Sequence, residues 1–367
     1  MDYCLSVVVT IYNVGQYLDH CITSIINQKY KHLDIVLIND GSTDNSLSIC
    51  QKYAEKDVRV KIITKKNEGI ILARKAGIDN AVGEYITFVD GDDYIAEDYY
   101  YNIMKRVNGE SPDLFANGCT QDGDKGMIPL QQAVESGKYS SVDELQYLYR
   151  NINFLDFNCY TFGIYPSVCL KVFKTASLRE QCAKIPPDVT FGEDACFSFP
   201  YILRANSIII DNSIKGYYYR VVHDSMSRPK EFSKLFNTNK VYEYLKGYYY
   251  NTHDERIIDQ IELYRTYLAE QSLHSIMADA RLSDVKTRVE IIKEYTNKNV
   301  LFSNSDLTFK FGISKKYRNE LKMISTKNWR LFELTWKKRL VLFYLRTMAR
   351  KALKKLLRVC FTKHIQI

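Results

Sequence analysis

The chain has 367 residues, of which 46% are hydrophobic and 26% are charged, as is usual for a soluble globular protein that can bury a sizeable core. No apolar run approaches the ~18 residues of a membrane span, and the N-terminus lacks the basic and apolar segments of a signal peptide. The nine cysteines are scattered without a Cys-x-x-Cys pair, which argues against a disulfide framework or zinc site and for reduced thiols. We therefore expect a cytoplasmic protein.

The first hundred residues alternate between strand-like and helix-like patterns. Short runs rich in β-branched residues predict four buried strands, over residues 5–11, 33–38, 60–64 and 85–89. Helical spacing of apolar residues predicts helices between them, over residues 17–27, 46–55 and 70–81. This alternation with short connections predicts an α/β fold with a doubly wound, mostly parallel sheet.

The remainder of the chain is less regular and then becomes helical. Residues 118–137, rich in Gly, Asp and Gln, predict a loop or hairpin, and residues 207–211 and 216–220 predict strands. Helical patterns follow over residues 234–250, 255–281 and 285–296. We therefore predict three parts: an α/β domain over residues 1–230, a helical region over 231–326 and a basic amphipathic helix over 327–367.

A short acidic run, Asp90-Gly91-Asp92-Asp93, follows the fourth predicted strand. Three carboxylates in four residues repel one another at neutral pH, so they need solvent or a compensating cation. Hard oxygen ligands suit Mg²⁺ or Mn²⁺, which bind one or two carboxylates together with substrate phosphates. Such a run on its own is more often a solvated turn. The apolar strand before it and the polar residues that end neighbouring strands favour the metal site.

Ligands of doubly wound sheets bind outside the carboxyl ends of the strands. Thr10, Tyr12 and Asp40 lie at this edge, at the ends of the first two predicted strands. A carboxylate in the place of Asp40 can accept the imide N–H of uracil, although an Asx turn or a helix cap would also explain it. Asn67 follows the third strand. Arg74 lies about one turn into the next helix, where a guanidinium can pair with a diphosphate or order the acidic run.

Two later stretches carry further polar side chains. Residues 192–194 include Asp194, and a carboxylate held near an acceptor hydroxyl can act as general base. An ordinary helix N-terminus would carry the same acidic residues. Residues 223–227 include His223 and Ser225, and a His there can bind a divalent metal or donate to a phosphate, while the hydroxyl can bind phosphate oxygens.

Together these stretches resemble glycosyltransferase family 2, a family of inverting enzymes with the Rossmann-like GT-A fold of nucleotide-diphospho-sugar transferases. The resemblance covers about residues 3–228. Each motif is weak alone, and the specificity lies in their number, order and spacing. The matching motifs are SVVVTIYN at 6–13, NDGSTD at 39–44, NEG at 67–69 with AR at 73–74, FVDGDD at 88–93, GED at 192–194 and HDSMS at 223–227.

The resemblance implies contacts with a nucleotide-sugar donor, with UDP favoured, for a set of residues at the sheet edge. These are Thr10, Tyr12 and Asp40 at the nucleobase, and Asn67, Arg74, Asp90 and, more weakly, Ser225 at the rest of the donor. It also implies an Mn²⁺ or Mg²⁺ ion on Asp92, with His223 as a metal or diphosphate contact. Asp194 matches the catalytic base.

The implied reaction is transfer of a sugar, with inversion, to a hydroxyl of a glycan or lipid-linked glycan during cell-surface polysaccharide synthesis. In this reaction the metal ion neutralises the departing nucleoside diphosphate and the base takes the proton of the acceptor hydroxyl. The resemblance leaves open which sugar is transferred and which acceptor receives it.

Positive charge is concentrated near the C-terminus. The formal net charge is +8, and residues 330–363 contain eleven Lys or Arg against one Glu. Spacing by four places basic residues in one stripe, opposite an apolar side: Arg346, Arg350, Lys354 and Arg358. With Trp and Phe upstream, this pattern predicts a helix lying on an anionic membrane, at the inner face of the plasma membrane. Docking on the body of the protein or on another subunit is the alternative, and the Trp and Phe content disfavours nucleic acid.

Three other protein classes share parts of this pattern. A dehydrogenase needs Gly-x-Gly-x-x-Gly after the first strand, where residues 10–15 read TIYNVG. A nucleotidyltransferase needs a Gly-rich phosphate cradle in the same loop. A non-catalytic nucleotide- or glycan-binding protein of this fold need not keep both Asp92 and Asp194. The helical region 231–326 could close the acceptor site or form a homo-oligomer, and the sequence leaves both open.

Overall fold

The structure, a computed structural model, describes residues 2–158, 161–221, 238–278, 285–298, 319, 322–323 and 326–338. The chain divides into two compact units, Met1–Ala269 and Glu270–Ile367. Within the described ranges, no helix combines the length and the apolar content that crossing a membrane requires.

The strands, in chain order, are β1 (Leu5–Ile11), β2 (Leu33–Asp40), β3 (Val60–Lys65), β4 (Tyr85–Asp90), β5 (Tyr94–Ile95), β6 (Leu114–Asn117), β7 (Cys119–Gly123), β8 (Gly126–Leu130), β9 (Gly137–Tyr139), β10 (Lys171–Lys174), β11 (Ile208–Asp211) and β12 (Tyr217–Arg220). The helices are α1 (Gly15–Ile26), α2 (Ser46–Ala54), α3 (Ile70–Asn80), α4 (Tyr99–Glu110), α5 (Val142–Arg150), α6 (Thr175–Cys182), α7 (Glu193–Ile202), α8 (Thr238–Tyr250), α9 (Glu255–Ala278) and α10 (Val285–Lys298).

The main sheet has the strand order β3-β2-β1-β4-β10-β6-β11-β9. The four strands predicted from the N-terminal pattern are β1 to β4, and each pairs in parallel with its neighbour. Every residue of β1 and β2 is buried, as in a sheet that is covered on both faces. The predicted α/β fold with a doubly wound, mostly parallel sheet is confirmed.

Strand β10 joins the later half of the chain to this sheet. It lies between β4 and β6 and is antiparallel to both, while β6 and β11 continue in parallel. The short strand β9 closes the far edge in an antiparallel pair with β11. Because β10 is a neighbour of β4, the residues around it lie next to the strand that carries the acidic run.

Two element ends differ from the predicted ones because of contacts distant in sequence. Strand β2 runs through Asp40, since Asn39 and Asp40 still pair with β3. Helix α1 begins at Gly15, two residues early, because its first N–H groups are satisfied from another loop. The Gly15 N–H donates to Asp44 Oδ2 at 2.9 Å, and the Val14 N–H donates to Ser46 Oγ at 3.2 Å.

A second sheet has the order β5-β12-β7-β8. Strands β7 and β8 form a hairpin, one of the two alternatives predicted for residues 118–137. Strand β5 starts directly after the acidic run and is antiparallel to β12. The rings of Tyr94 on β5 and Tyr218 on β12 stack with centroids 4.7 Å apart. The chain that directly follows the acidic run is therefore held in this second sheet.

The predicted helices after residue 232 correspond to α8, α9 and α10, with residues 234–237 and 279–284 outside the described residues. In the first unit, α8 packs against α7. In the second, the Lys293 ammonium lies 5.8 Å from the centroid of the Trp329 ring. Residues 329–338 are helical, and the rest of the predicted basic helix lies outside the described residues. The predicted domain boundary at residue 230 lies outside them too and stays a prediction.

Candidate active site

The carboxyl ends of β1, β2 and β4 lie side by side in the main sheet. Thr10 faces Asp90 in the ladder between β1 and β4, and its hydroxyl donates to Asp90 Oδ1 at 3.0 Å. The Gly91 N–H donates to the Thr10 carbonyl at 3.0 Å, and a Cβ on Gly91 would lie 3.0 Å from that oxygen. The sheet thus brings Thr10, Asp40 and Asp90 to one edge, as predicted, and Gly91 permits the close turn.

A single buried guanidinium connects the acidic residues of the site. Arg74, on α3, is 2% exposed, and its Nη1 lies 2.6 Å from Asp194 Oδ1. The same nitrogen lies 3.6 Å from Glu193 Oε1, and Nη2 lies 3.5 Å from Asp90 Oδ1. Of the two roles weighed for Arg74, ordering the carboxylates is the one seen here, and its contact with a diphosphate stays a prediction.

Burial and charge shift the titration of this cluster. Burial alone would lower the pKa of Arg74, but Asp194, Asp90 and Glu193 outweigh burial and raise it. Burial, reinforced by Asp194, raises the pKa of Glu193 to about 7. Burial also raises the pKa of Asp194, against the opposing charge of Arg74. A carboxylate with a raised pKa is a better proton acceptor near neutral pH, as a general base must be.

The three carboxylates of the acidic run have different surroundings. Asp93 is buried, and it accepts hydrogen bonds from Tyr217 Oη at 2.6 Å and from the Arg220 N–H at 2.8 Å. It therefore ties the run to β12. Asp92 is half-buried, and burial with the nearby charge of Asp90 raises its pKa to about 6. Asp93 is thus engaged by β12, whereas the more exposed Asp92 is the carboxylate that an added cation could reach.

Asp40 organises a loop of the same edge. Its carboxylate accepts hydrogen bonds from the Glu68 N–H at 3.1 Å and the Gly69 N–H at 2.9 Å, and from Lys65 Nζ at 2.8 Å. The loop that carries Asn67 is thereby fastened to the end of β2. Uracil recognition by Asp40 and donor contact by Asn67 stay predictions.

The predicted donor residue Tyr12 is 47% exposed at the end of β1. Next to it, Asn13 has a φ of 53°, and its side-chain oxygen accepts from the Thr43 N–H at 2.7 Å. The bend at Asn13 fixes the chain that carries Tyr12, whose ring is open to solvent and free to meet a base. The predicted role of Tyr12 at the nucleobase stays a prediction.

Of the two predicted metal ligands, the structure describes Asp92 but not His223. In the described residues, no three His, Cys, Asp or Glu side chains are arranged to hold a metal ion. His223 and the diphosphate candidate Ser225 lie at 222–237, outside the described residues. The chemistry of Asp92 fits a hard divalent ion, because a half-buried carboxylate beside a second carboxylate offers oxygen ligands and excess negative charge.

Two charged residues at or near the cluster were not predicted as site residues. Glu193 was seen only as the neighbour of Asp194, yet it also faces Arg74. Lys171, at the start of β10, is fully buried, and burial lowers its pKa to about 7. The available signal was a lysine inside the apolar run Cys169-Leu170-Lys171-Val172-Phe173, where a charged side chain needs a reason.

Residues 6–160 match the family model described as glycosyl transferase family 2. The chain therefore contains a glycosyltransferase family 2 domain over these residues. The family 2 domain holds the β1, β2 and β4 edge, Arg74 and the acidic run, whereas Asp194 follows beyond the matched residues. The resemblance deduced from the motifs is confirmed.

Known proteins with similar sequences are also described as glycosyltransferases. GlyA of Streptococcus pneumoniae is 32% identical over 235 residues, which are 62% of this chain and 32% of GlyA. The chain thus spans about a third of the length of GlyA. An uncharacterized glycosyltransferase of Bacillus subtilis, EpsJ, is 25% identical over 335 residues, which are 89% of this chain and 93% of EpsJ.

A crystal structure of residues 1–349 of Staphylococcus aureus TarS shares the fold. The TM-score is 0.60 at 18% sequence identity, with 92% of this chain and 91% of that chain covered. With the central sheet and the helices described above, this match confirms the predicted GT-A fold followed by a helical region.

Proposed function

We propose that this protein is an inverting glycosyltransferase that moves a sugar from a UDP-sugar to a hydroxyl of a glycan or lipid-linked glycan. The observation that carries the proposal is the Arg74 cluster, in which Arg74 pairs both with Asp90 at the donor edge and with Asp194, 120 residues from Arg74 in the chain. A scaffold that only bound nucleotide would have no need of a second carboxylate on the buried Arg74.

The similar proteins support the choice of donor and of pathway. TarS 1–349 has been crystallised with UDP and with UDP-GlcNAc. GgaB of Bacillus subtilis, a minor teichoic acid biosynthesis protein, is 41% identical over 106 residues, which are 12% of its own length. We therefore favour UDP as the nucleotide and cell-surface polysaccharide synthesis as the process. On this proposal Thr10, Tyr12, Asp40 and Asn67 surround the nucleotide.

Asp92 would hold the Mn²⁺ or Mg²⁺ ion, with His223 as its predicted partner. When bound, a divalent ion supplies positive charge for the diphosphate that departs. The neighbouring carboxylates already have protein partners. Thr10 and Arg74 orient Asp90, and Tyr217 and the Arg220 N–H donate hydrogen bonds to Asp93. Asp92 is then the carboxylate of the acidic run that remains available to bind the ion.

Asp194 would act as the base of a single displacement. As the acceptor oxygen bonds to the anomeric carbon, the bond from that carbon to the diphosphate breaks and Asp194 takes the hydroxyl proton. The attack comes from the side opposite the leaving group, so the configuration inverts. Arg74 holds the carboxylate at 2.6 Å through Oδ1, which limits its rotation.

A donor-binding experiment tests the metal assignment. Thermal unfolding is followed while UDP is added with and without Mn²⁺, for the parent, for Asp92→Ala and for a control, Asp124→Asn, in the exposed β7–β8 turn. We expect Mn²⁺-dependent stabilisation by UDP in the parent and the control but not in Asp92→Ala. Stabilisation that needs no metal and survives Asp92→Ala would show the assignment to be wrong.

A turnover experiment tests the base. UDP release from a panel of UDP-sugars is measured for the parent and for Asp194→Asn. We expect the variant to keep UDP binding and to lose about 10²- to 10⁴-fold in rate, the usual contribution of a general base. Full turnover by Asp194→Asn eliminates it as the base. A parent that binds UDP but never releases it from a UDP-sugar is the non-catalytic protein of this fold.

A further inference from the structure

Lys171 is a charged residue in an apolar part of the main sheet. It opens β10, between β4 and β6, and its side chain is fully buried. Lysine is seldom buried unless its ammonium is paired. Its carbonyl accepts the hydroxyl hydrogen of Thr87 on β4 at 2.8 Å, so the backbone at Lys171 is fixed to the strand that ends in the acidic run.

The Lys171 ammonium donates hydrogen bonds to a short segment of backbone that contacts α7. Nζ donates to the Ser167 carbonyl at 2.7 Å and to the Tyr165 carbonyl. The carbonyl between them, of Pro166, accepts from Ser198 Oγ at 2.6 Å, and Ser198 lies on α7. Three successive carbonyl groups are thus bound by two buried side chains. Lys171 and α7 hold the same segment from two sides, and Asp194 stands in the first turn of α7.

The ammonium is also an electrostatic neighbour of Asp194. The negative charge of Asp194 favours the protonated form of Lys171, and the positive charge of Lys171 favours the ionised form of Asp194. The other charged groups that act on Asp194 are Arg74 on α3, Asp90 on β4 and Glu193 on α7. The thiol of Cys169 is the remaining titratable neighbour of Lys171. Arg74 faces three carboxylates, and Lys171 is a second positive charge near one of them, Asp194.

We propose that Lys171 is a positioning residue of the transfer reaction, which anchors α7 at Ser198, one turn after Asp194, through residues 165–167 and holds Asp194 in its ionised, proton-accepting form. This inference rests on the proposed function of Asp194 as the base. Because its side chain is fully buried, Lys171 has no direct contact with substrate in this proposal. It acts through the backbone segment and through its charge.

The charge relation is tested without any assay of activity. In protein labelled with ¹³C at lysine Cε, one lysine should titrate near neutral pH, far below the others, and the signal should vanish in Lys171→Met. Asp194→Asn should lower the pKa of that lysine, because it removes a negative charge. The control Asp113→Asn, which removes the partner of Lys174 on the same strand, should leave it unchanged. An unchanged titration in Asp194→Asn would overturn the proposal.

The consequence for the reaction is tested with two substitutions. Lys171→Met removes charge and hydrogen bonds, whereas Lys171→Gln removes the charge but keeps N–H donors. The matched control is Lys174→Met, whose ammonium pairs with Asp113 at 2.8 Å and is 40% exposed. UDP release from UDP-GlcNAc, or from the panel sugar that works best, is recorded against pH. We expect the acid limb of kcat/KM to move up by about 0.5 pH unit or more in both Lys171 variants, with UDP binding retained.

The outcomes separate this inference from the function on which it rests. A slower Lys171→Gln with an unmoved acid limb means that only packing was lost, and the proposal fails. If Lys171→Met does not fold, the lysine titration can still be measured in Asp194→Asn, which keeps Lys171, and it still tests the proposal. If the lysine responds to Asp194→Asn while the parent turns over no UDP-sugar, the charge relation holds and the proposed function fails.

Discussion

At the scale of the residue, Arg74 matters because one guanidinium faces three carboxylates where water is scarce. Its Nε atom is buried without a hydrogen-bond partner, so the ion pairs through Nη1 and Nη2 hold the group. Breaking a buried ion pair from one side leaves uncompensated charge, which costs far more than losing a surface pair. The free energy of unfolding should therefore depend strongly on Arg74, even in the absence of substrate.

Arg74→Met should lower the free energy of unfolding by about 3–5 kcal/mol, because Asp90, Glu193 and Asp194 lose their shared cation. Arg106→Met is the matched control, since Arg106 pairs with Glu110 and Asp211 but is 40% exposed. It should cost no more than about 1 kcal/mol. Urea unfolding at pH 7 measures both. Equal losses in the two variants would contradict the central place given to Arg74.

Glu193 makes the stability depend on pH. Its pKa is about 7 in the folded protein against a usual 4.5, so the folded state holds the proton more tightly between these values. The free energy of unfolding of the parent should therefore fall as pH rises from 4.5 to 7. The Glu193→Gln variant has no carboxyl group at this position to titrate. Its free energy of unfolding should therefore rise relative to that of the parent by about 1–3 kcal/mol across that range. Urea unfolding at pH 4.5, 6 and 8 checks it. A difference that does not change with pH would refute the assignment.

At the scale of the element, the β2 and β3 ends form one loop structure. Asp40 binds the Glu68 and Gly69 N–H groups, and Gly41 has a φ of 73° with the Asn67 backbone against it. A Cβ at Gly41 would lie 2.6 Å from the Asn67 nitrogen. Only glycine fits both the left-handed conformation and the close approach.

Gly41→Ala should therefore cost about 1–2 kcal/mol of stability and weaken UDP binding, because the loop bearing Asn67 must move. Gly109→Ala, in α4, is the matched control: a Cβ there meets nothing within 4 Å, and the change should stabilise by about 0.5–1 kcal/mol. Urea unfolding and UDP calorimetry report the two effects. Parent-like UDP affinity in a folded Gly41→Ala protein would separate this loop from the donor site.

The first elements of the chain were predictable from the sequence, whereas several later ones were not. Strands β1 to β4 and helices α1 to α3 were predicted to within two residues at each end, because their apolar periodicity is local. Helix α4, strand β6 and strand β10 were not predicted as elements. Strands β6 and β10 have four residues each, and β10 begins with a lysine, which is unusual in a buried strand. Their conformation depends on the neighbouring strands of the sheet.

At the scale of the whole molecule, charge is unevenly distributed along the chain. Eleven Lys or Arg lie within residues 330–363, of which the structure describes only the first part, through residue 338. We propose that this segment binds an anionic membrane surface at the inner face of the plasma membrane, where a lipid-linked acceptor would be met. The attraction is electrostatic and screened by salt, at about 1 kcal/mol for each basic residue near the surface.

Replacing Arg346, Arg350, Lys354 and Arg358 together by Gln should therefore weaken binding to anionic liposomes at least 100-fold at physiological salt, since four favourable charges are lost. Four exposed lysines serve as control when changed to Gln: Lys29, Lys56, Lys125 and Lys184. Co-sedimentation with phosphatidylserine vesicles measures both proteins. A parent that ignores such vesicles, or a control that loses as much, would refute membrane binding by this segment.

The sequence by itself determined the fold class, the edge of the sheet where chemistry collects and the residue types found there. It could do so because apolar periodicity and strand-end polar residues are local properties of the chain. Only the tertiary structure decided that Arg74 pairs with Asp194, that Asp93 is taken by Tyr217 and that Lys171 lies behind the cluster. These pairings join residues about 20 to 125 positions apart, and burial sets their charge states, so no local pattern contains them.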